Sequence, residues 1–341
     1  MKQLFLLVSL LFSCDYLTAA PYSAPFWLPG GDLQTIFAAT LNPVPNVDYR
    51  RERWELPDGD FVDADWVDNA PENHAASPIV VLFHGLEGNS QSAYARALMA
   101  AVKAKGWRGV VIHFRGCSGE PNRLPRVYYA GDAPEIDLFL SRVRSHAPSV
   151  PIYAVGVSLG GNALLKWLGE KGDKAAIIID KAIAVSAPID LAASADSLDK
   201  GLNRLIYTPM FVDSMRPKAL EMTQRFPGLL SEEKIKAAKT IHDIDNAVTA
   251  VLYGATDAED YYAKNASKPW LASIRLPTLI LNAKNDPFIP ASSLPTADEV
   301  SGLVTLEYPD TGGHAGFPRD NNWFATHLLE FFQAEHLSAS D

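Results

Sequence analysis

Two patterns of apolar spacing divide the chain. Between Arg50 and Asp68, "RRERWELPDGDFVDADWVD" alternates apolar and polar residues on either side of Pro57-Asp58-Gly59. That predicts two half-buried strands joined by a turn, an antiparallel hairpin. Beyond it the apolar residues gather into short unbroken runs: "PIVVLFHG", "GVVIHFRG", "PIYAVGVS", "KAIAVSAP" and "PTLILNAKND". Such runs, separated by helix-length segments, predict an α/β fold with a mostly parallel sheet covered by helices on both faces. The intervening segments Ser92 to Lys105, Ala133 to Ser145 and Leu159 to Lys171 space their apolar residues three and four apart, as amphipathic helices do.

From Pro188 to Leu276 the strand rhythm stops and the sequence turns helix-like. An insertion of that length between two sheet strands predicts a helical cap over a site at the strand ends, at about 189–270. Its apolar residues, such as Leu202, Leu205, Met210 and Phe211, suit an acyl pocket, although core packing accounts for them equally. With no repeat or low-complexity linker in view, residues 21–341 read as one domain carrying this cap.

Composition narrows the partners. The 341 residues are 48% hydrophobic and 21% charged with a net charge of −10, which fits a globular enzyme with a sizeable core. No basic run tracks phosphates, so no nucleic-acid partner is expected. Residues 1–20, "MKQLFLLVSLLFSCDYLTAA", set one lysine before an apolar stretch and small residues, the layout of a signal or anchor segment. An over-long start fits equally, so export or membrane attachment through residues 1–20 and a cytoplasmic location both stand. Cys14 and Cys117 are the only cysteines, and Cys117 has no base or metal partner at readable spacing.

The chemistry centres on "GVSLGG". Ser158 lies between an apolar run ending at Val157 and a helical segment starting at Leu159, flanked by Gly156 and Gly160. A strand-turn-helix elbow of this kind exposes a nucleophilic serine above the sheet. A serine hydroxyl needs a base, and the base needs an orienting acid. In such folds the acid and then the histidine follow the serine in order. Asp286 ends the run "PTLILNAKND", and His314 lies in "YPDTGGHAGF" ahead of the final amphipathic segment. Asp310 is the rival acid, four residues before the histidine and better placed for a turn. His327 and His336 fall in the last helix, His242 in the cap and His74 in a polar loop. The backbone N–H groups of Leu86, in "VVLFHGLEGNS", and Leu159 are the candidates for an oxyanion hole. His84 reads as a structural hydrogen-bonding residue. No metal or nucleotide motif is present, and no cofactor is expected.

Across nearly all of Tyr22 to Phe332 the chain resembles the YheT-like branch of the α/β-hydrolases. The likeness rests on "FWLPGGDLQT", "LFHGLEGNSQSAYARAL", "VIHFRGCSGEPNRLPRVYYAGD", "GVSLGGNALLKWLGE", "AVSAPIDLAAS", "LILNAKNDPFIP" and "GGHAGF". It implies an α/β-hydrolase fold, a triad of Ser158, Asp286 and His314, and hydrolysis of a small-molecule or lipid carboxylic ester of short to medium acyl chain. An ester-forming acyltransferase with the same triad, and a non-catalytic membrane-associated binding protein, are the alternatives. Within "HFRGCSGEPNR", residues Arg115, Glu120, Asn122 and Arg123 read as ordering the loop beside the site. A second reading gives Arg115 and Arg123 an anionic head group to bind.

Overall fold

A computed structural model describes residues 22–68, 76–319 and 322–334. The residues 1–20 read as a signal or anchor, His74 and His336 lie outside these. Eight strands form one sheet: β1 (Arg50–Glu55), β2 (Phe61–Val67), β3 (Ile79–Phe83), β4 (Arg108–Ile112), β5 (Ile152–Val157), β6 (Lys181–Val185), β7 (Thr278–Leu281) and β8 (Val304–Glu307). Their order is β1-β2-β4-β3-β5-β6-β7-β8. β1 pairs antiparallel with β2, and β2 antiparallel with β4, while every other neighbouring pair is parallel.

The helices are α1 (Gly31–Thr40), α2 (Ala93–Ala104), α3 (Ala133–His146), α4 (Leu159–Lys171), α5 (Leu191–Leu198), α6 (Asn203–Arg225), α7 (Glu232–Ala237), α8 (Ile241–Ile244), α9 (Ala250–Leu252), α10 (Ala258–Asn265) and α11 (Trp323–Gln333). Strand residues point alternately to opposite faces, and the core follows that alternation. Ile79, Val81 and Phe83 of β3 pack with α3 and α4, whereas Val80 and Leu82 pack with α2 and α11. β3 is therefore buried on both faces, which is why its sequence is an unbroken apolar run.

Helices α5 to α10 all lie between β6 and β7, as a helical insertion with its own apolar cluster. That cluster includes Phe288 and Ile289 from the loop after β7, so the insertion sits on the loops at the carboxyl ends of the central strands. Ligand sites of open α/β sheets lie at that end.

Candidate active site

Ser158 occupies the turn between β5 and α4 with φ 53° and ψ −122°, a conformation that costs a non-glycine residue about 1–3 kcal/mol. Close packing holds it there. A Cβ on Gly160 would lie 2.5 Å from the carbonyl oxygens of Phe83 and His84, and one on Gly156 would lie 2.5 Å from the Gly160 oxygen. The Ser158 N–H donates to the Val185 carbonyl (2.8 Å), which ties the turn to β6.

The loop after β8 brings His314 to this serine. The Ser158 hydroxyl donates to Nε2 of His314 (2.9 Å), and Nδ1–H of His314 donates to both oxygens of Asp286 (2.9 and 3.1 Å). The Asp286 side chain is fully buried and also accepts from the N–H groups of Phe288 (2.8 Å) and Ile289 (3.3 Å). A carboxylate that accepts from Nδ1–H fixes the imidazole tautomer whose Nε2 accepts. The Phe288 ring lies 4.2 Å from the imidazole.

Helix α1 holds the histidine loop in place. Its Gln34 accepts from the Gly312 N–H and its Thr35 hydroxyl from the His314 N–H, both at 2.8 Å. Sequence reasoning assigned these two residues no role. The signal was a glutamine and a threonine, in "DLQT", on a helix face that is otherwise apolar.

The loop after β3 is fixed as tightly. Phe114 N–H donates to Nε2 of His84 (3.1 Å), so Nδ1 carries the proton and donates to the Gly85 carbonyl (2.8 Å). Burial lowers the His84 pKa to about 3, leaving the ring neutral. Gly85 N–H donates to the Tyr94 hydroxyl (3.0 Å) and Glu87 N–H to the Tyr128 hydroxyl (2.5 Å). Between them the Leu86 N–H makes no hydrogen bond within the described residues. Leu159 opens α4, where an N–H has no acceptor within the helix. Neither tyrosine was singled out from the sequence.

A cavity of about 340 Å³ opens onto Ser158 and His314. Leu86 and Leu159 line it from the sheet side, and Leu191, Leu198, Phe211, Met222, Ile244 and Val248 from the insertion. Of the four apolar cap residues read as suiting either an acyl pocket or the core, only Phe211 lines the cavity. Leu202, Leu205 and Met210 are 52%, 75% and 64% exposed, because the face of α6 that carries them is turned away from the insertion's core.

The other candidates lie outside the Ser158–His314–Asp286 chain, and of them Arg115, Glu120 and Asn122 line the same cavity. Arg115 spends its guanidinium on Asp58, Asp60 and Glu135 (2.6–2.8 Å), and Arg123 pairs with Glu55. Asn122 bonds to Asp60 and the Phe61 carbonyl, so these residues lock the loop after β4 onto the β1–β2 turn. Burial pushes the Cys117 thiol up to about 12. Asp310 is exposed and pairs with Lys284, His327 bonds to Glu307, and His242 to Asp199 and Glu259.

A mostly parallel sheet carrying a serine at the β5–α4 turn, with a histidine and an acid on later loops, defines an α/β-hydrolase. The chain belongs to that family: the model of the alpha/beta hydrolase fold matches residues 78–319. Within it the chain belongs to the YheT-like branch, being 39% identical over 268 residues to YheT of Escherichia coli (strain K12), with 78% of each chain covered. It is 30% identical over 332 residues to human Phospholipase ABHD3 (94% of this chain, 80% of that one). It is 28% identical over 313 residues to the Monoacylglycerol lipase of Saccharomyces cerevisiae (88% and 67%). Among solved structures, Est1E from Butyrivibrio proteoclasticus shares the fold with a TM-score of 0.54 at 13% identity, covering 84% of this chain and 97% of that one.

Proposed function

We propose that the protein is a serine hydrolase that cleaves carboxylic esters of short to medium acyl chain. The observation that carries this reading is the continuous hydrogen-bond chain from Ser158 through His314 to Asp286 at the wall of an apolar cavity. Ser158 attacks the ester carbonyl as His314 takes its proton, and the Leu86 and Leu159 N–H groups receive the developing oxyanion. His314 then protonates the departing alkoxide, and water, deprotonated in turn by His314, releases the acid from the acyl-enzyme. The relatives named as a phospholipase and a monoacylglycerol lipase support an ester substrate, and the apolar lining supports an aliphatic acyl group.

The test is hydrolysis of p-nitrophenyl esters from acetate to palmitate, with labelling by a serine-reactive fluorophosphonate in parallel. The expected result is turnover that peaks at a short or medium chain, and labelling that Ser158→Ala abolishes. Turnover that survives Ser158→Ala would place the chemistry elsewhere. Ester exchange with an added alcohol that outpaces hydrolysis would make the enzyme an acyltransferase.

A further inference from the structure

We propose that the outer faces of α1, the segment before it and the first half of α6 together form a docking surface for a neutral lipid bilayer. The described residues include eleven exposed large apolar side chains, and seven lie on these two segments or at their ends. Phe26, Trp27, Leu33 and Leu41 are 96%, 51%, 50% and 68% exposed, and Leu202, Leu205 and Met210 lie on α6 or at its start. The two segments touch. The Tyr207 hydroxyl donates to the Asp32 carboxylate (3.1 Å), and Ile36 packs against the insertion's apolar cluster. Leu33 adjoins Asp32 in α1, and Leu205 and Met210 bracket Tyr207 in α6, so exposed side chains lie on both sides of the junction. Single exposed apolar residues are ordinary, whereas exposed apolar residues gathered on two touching segments are what an interaction site calls for.

Charge separates a bilayer from other occupants. In a chain that is 21% charged, residues 22–47 contain only Asp32 and residues 201–212 only Arg204, with Lys200 and Asp213 exposed at the two edges of the second stretch. A protein partner of ordinary kind brings a polar rim and a hydrogen bond for every 100–200 Å² or so, and this face has few groups to answer it. A bilayer asks only for apolar and aromatic side chains at the interface, where tryptophan is enriched. With a net charge of −10 the protein gains no attraction from anionic head groups, so insertion of apolar side chains is the driving force. Two further features favour lipid. The apolar run Leu4 to Phe12 precedes this face in the chain. Helix α6 also carries Phe211, Met215 and Met222 of the cavity lining, so one helix borders both the docking surface and the acyl site.

The experiment is sedimentation of the full chain with phosphatidylcholine vesicles at low and high salt, repeated with vesicles containing phosphatidylserine. Wild type is expected to bind neutral vesicles with little salt dependence. The quadruple variant Phe26→Ser, Trp27→Ser, Leu205→Ser, Met210→Ser is expected to lose binding by at least about tenfold, with a small fall in melting temperature from the lost contact of Trp27 with Phe37. If it melts early, the pairs Phe26→Ser/Trp27→Ser and Leu205→Ser/Met210→Ser, each expected to weaken binding, decide in its place. Equal binding by parent and variants would assign the attachment to residues 1–20 and overturn the proposal. So would binding confined to anionic vesicles, or a dimer that the same substitutions dissociate while vesicles stay unbound. None of these readouts needs turnover, so they stand apart from the hydrolase reading.

Discussion

The loop after β3 and the loop after β8 each bring a histidine to the strand ends beside Ser158, and the two rings are wired in opposite ways. His84 is wholly buried, and both of its nitrogens are bonded to backbone groups, which cannot change charge. His314 is 11% exposed at the cavity wall, with a carboxylate on one nitrogen and a hydroxyl on the other. A proton arriving on His84 would lose the Phe114 N–H bond and find no counter-charge. One arriving on His314 is paired with Asp286. The partners, more than proximity to the serine, distinguish a histidine that braces a loop from one able to cycle a proton.

Exchanging the two deletions gives the largest contrast. His314→Ala is expected to lower kcat/KM by about 10⁴-fold or more with little change in melting temperature. His84→Ala is expected to cost about 2–4 kcal/mol of stability, from a buried unsatisfied N–H and a cavity, while folded molecules keep far more activity than the His314 variant. Ester kinetics and denaturant melts on the two proteins measure both, and a reversed pattern would exchange the roles assigned here.

Next in size is Asp286→Asn. The asparagine amide turns a donor toward Nδ1 and selects the wrong imidazole tautomer, so kcat is expected to fall by about 10³–10⁴-fold. The substitution still offers an oxygen to the Phe288 and Ile289 N–H groups. A stable fold with that loss identifies an orienting role, whereas retained activity would pass the acid's part to another residue.

The pH dependence of stability sharpens the comparison at a smaller scale. The folded-state pKa of His84 is lowered to about 3 by burial, against about 6.5 in an unfolded chain. Below 6.5 the unfolded state binds a proton that the folded state refuses, so stability falls as pH falls toward 3, and is fully present above 6.5. Between pH 6.5 and 5 this one group accounts for roughly 2 kcal/mol. His242 is shifted upward despite its partial burial, by Asp199 and nearby acids, and contributes with the opposite sign. The measurement is therefore a difference: urea melts of wild type and His84→Gln across this range, with the shallower slope expected for the variant.

The same contrast explains what was readable from sequence. The parallel strands were legible because burial on both faces writes an unbroken apolar run, and the β1–β2 hairpin because Pro57-Asp58-Gly59 interrupts an alternating pattern. β8, "VTLE", is only half-buried at the sheet edge and carries neither signature. Ser158, Asp286 and His314 could be named because each follows a strand-end turn in a recognisable order, and the fold brings them within hydrogen-bond distance. Thr35 and Gln34 could not, since their partners lie 279 and 278 residues away. The outward turn of Leu202, Leu205 and Met210 depends on which side of α6 meets the insertion's core, and a helix with Pro209 and Pro217 inside it has a weak stripe to show it.

The smallest effect tests how the brace reaches the chemistry. Tyr128 and Tyr94 accept the N–H groups on either side of Leu86, and Leu86 itself lines the cavity. Burial raises the pKa of both hydroxyls, so they stay protonated and neutral at working pH. Tyr128→Phe keeps the ring stacked on Phe114 and removes the acceptor for Glu87 N–H together with the hydroxyl's hydrogen bond to the Cys117 thiol. The loop is then free to turn the Leu86 N–H away from the position proposed for the oxyanion. Because that charge develops only in the transition state, kcat is expected to fall by about tenfold while KM changes little. A purely structural tyrosine would instead lower the melting temperature and leave kcat per folded molecule intact. A rise in KM alone would mean that Tyr128 shapes the cavity wall and has no part in aiming the amide.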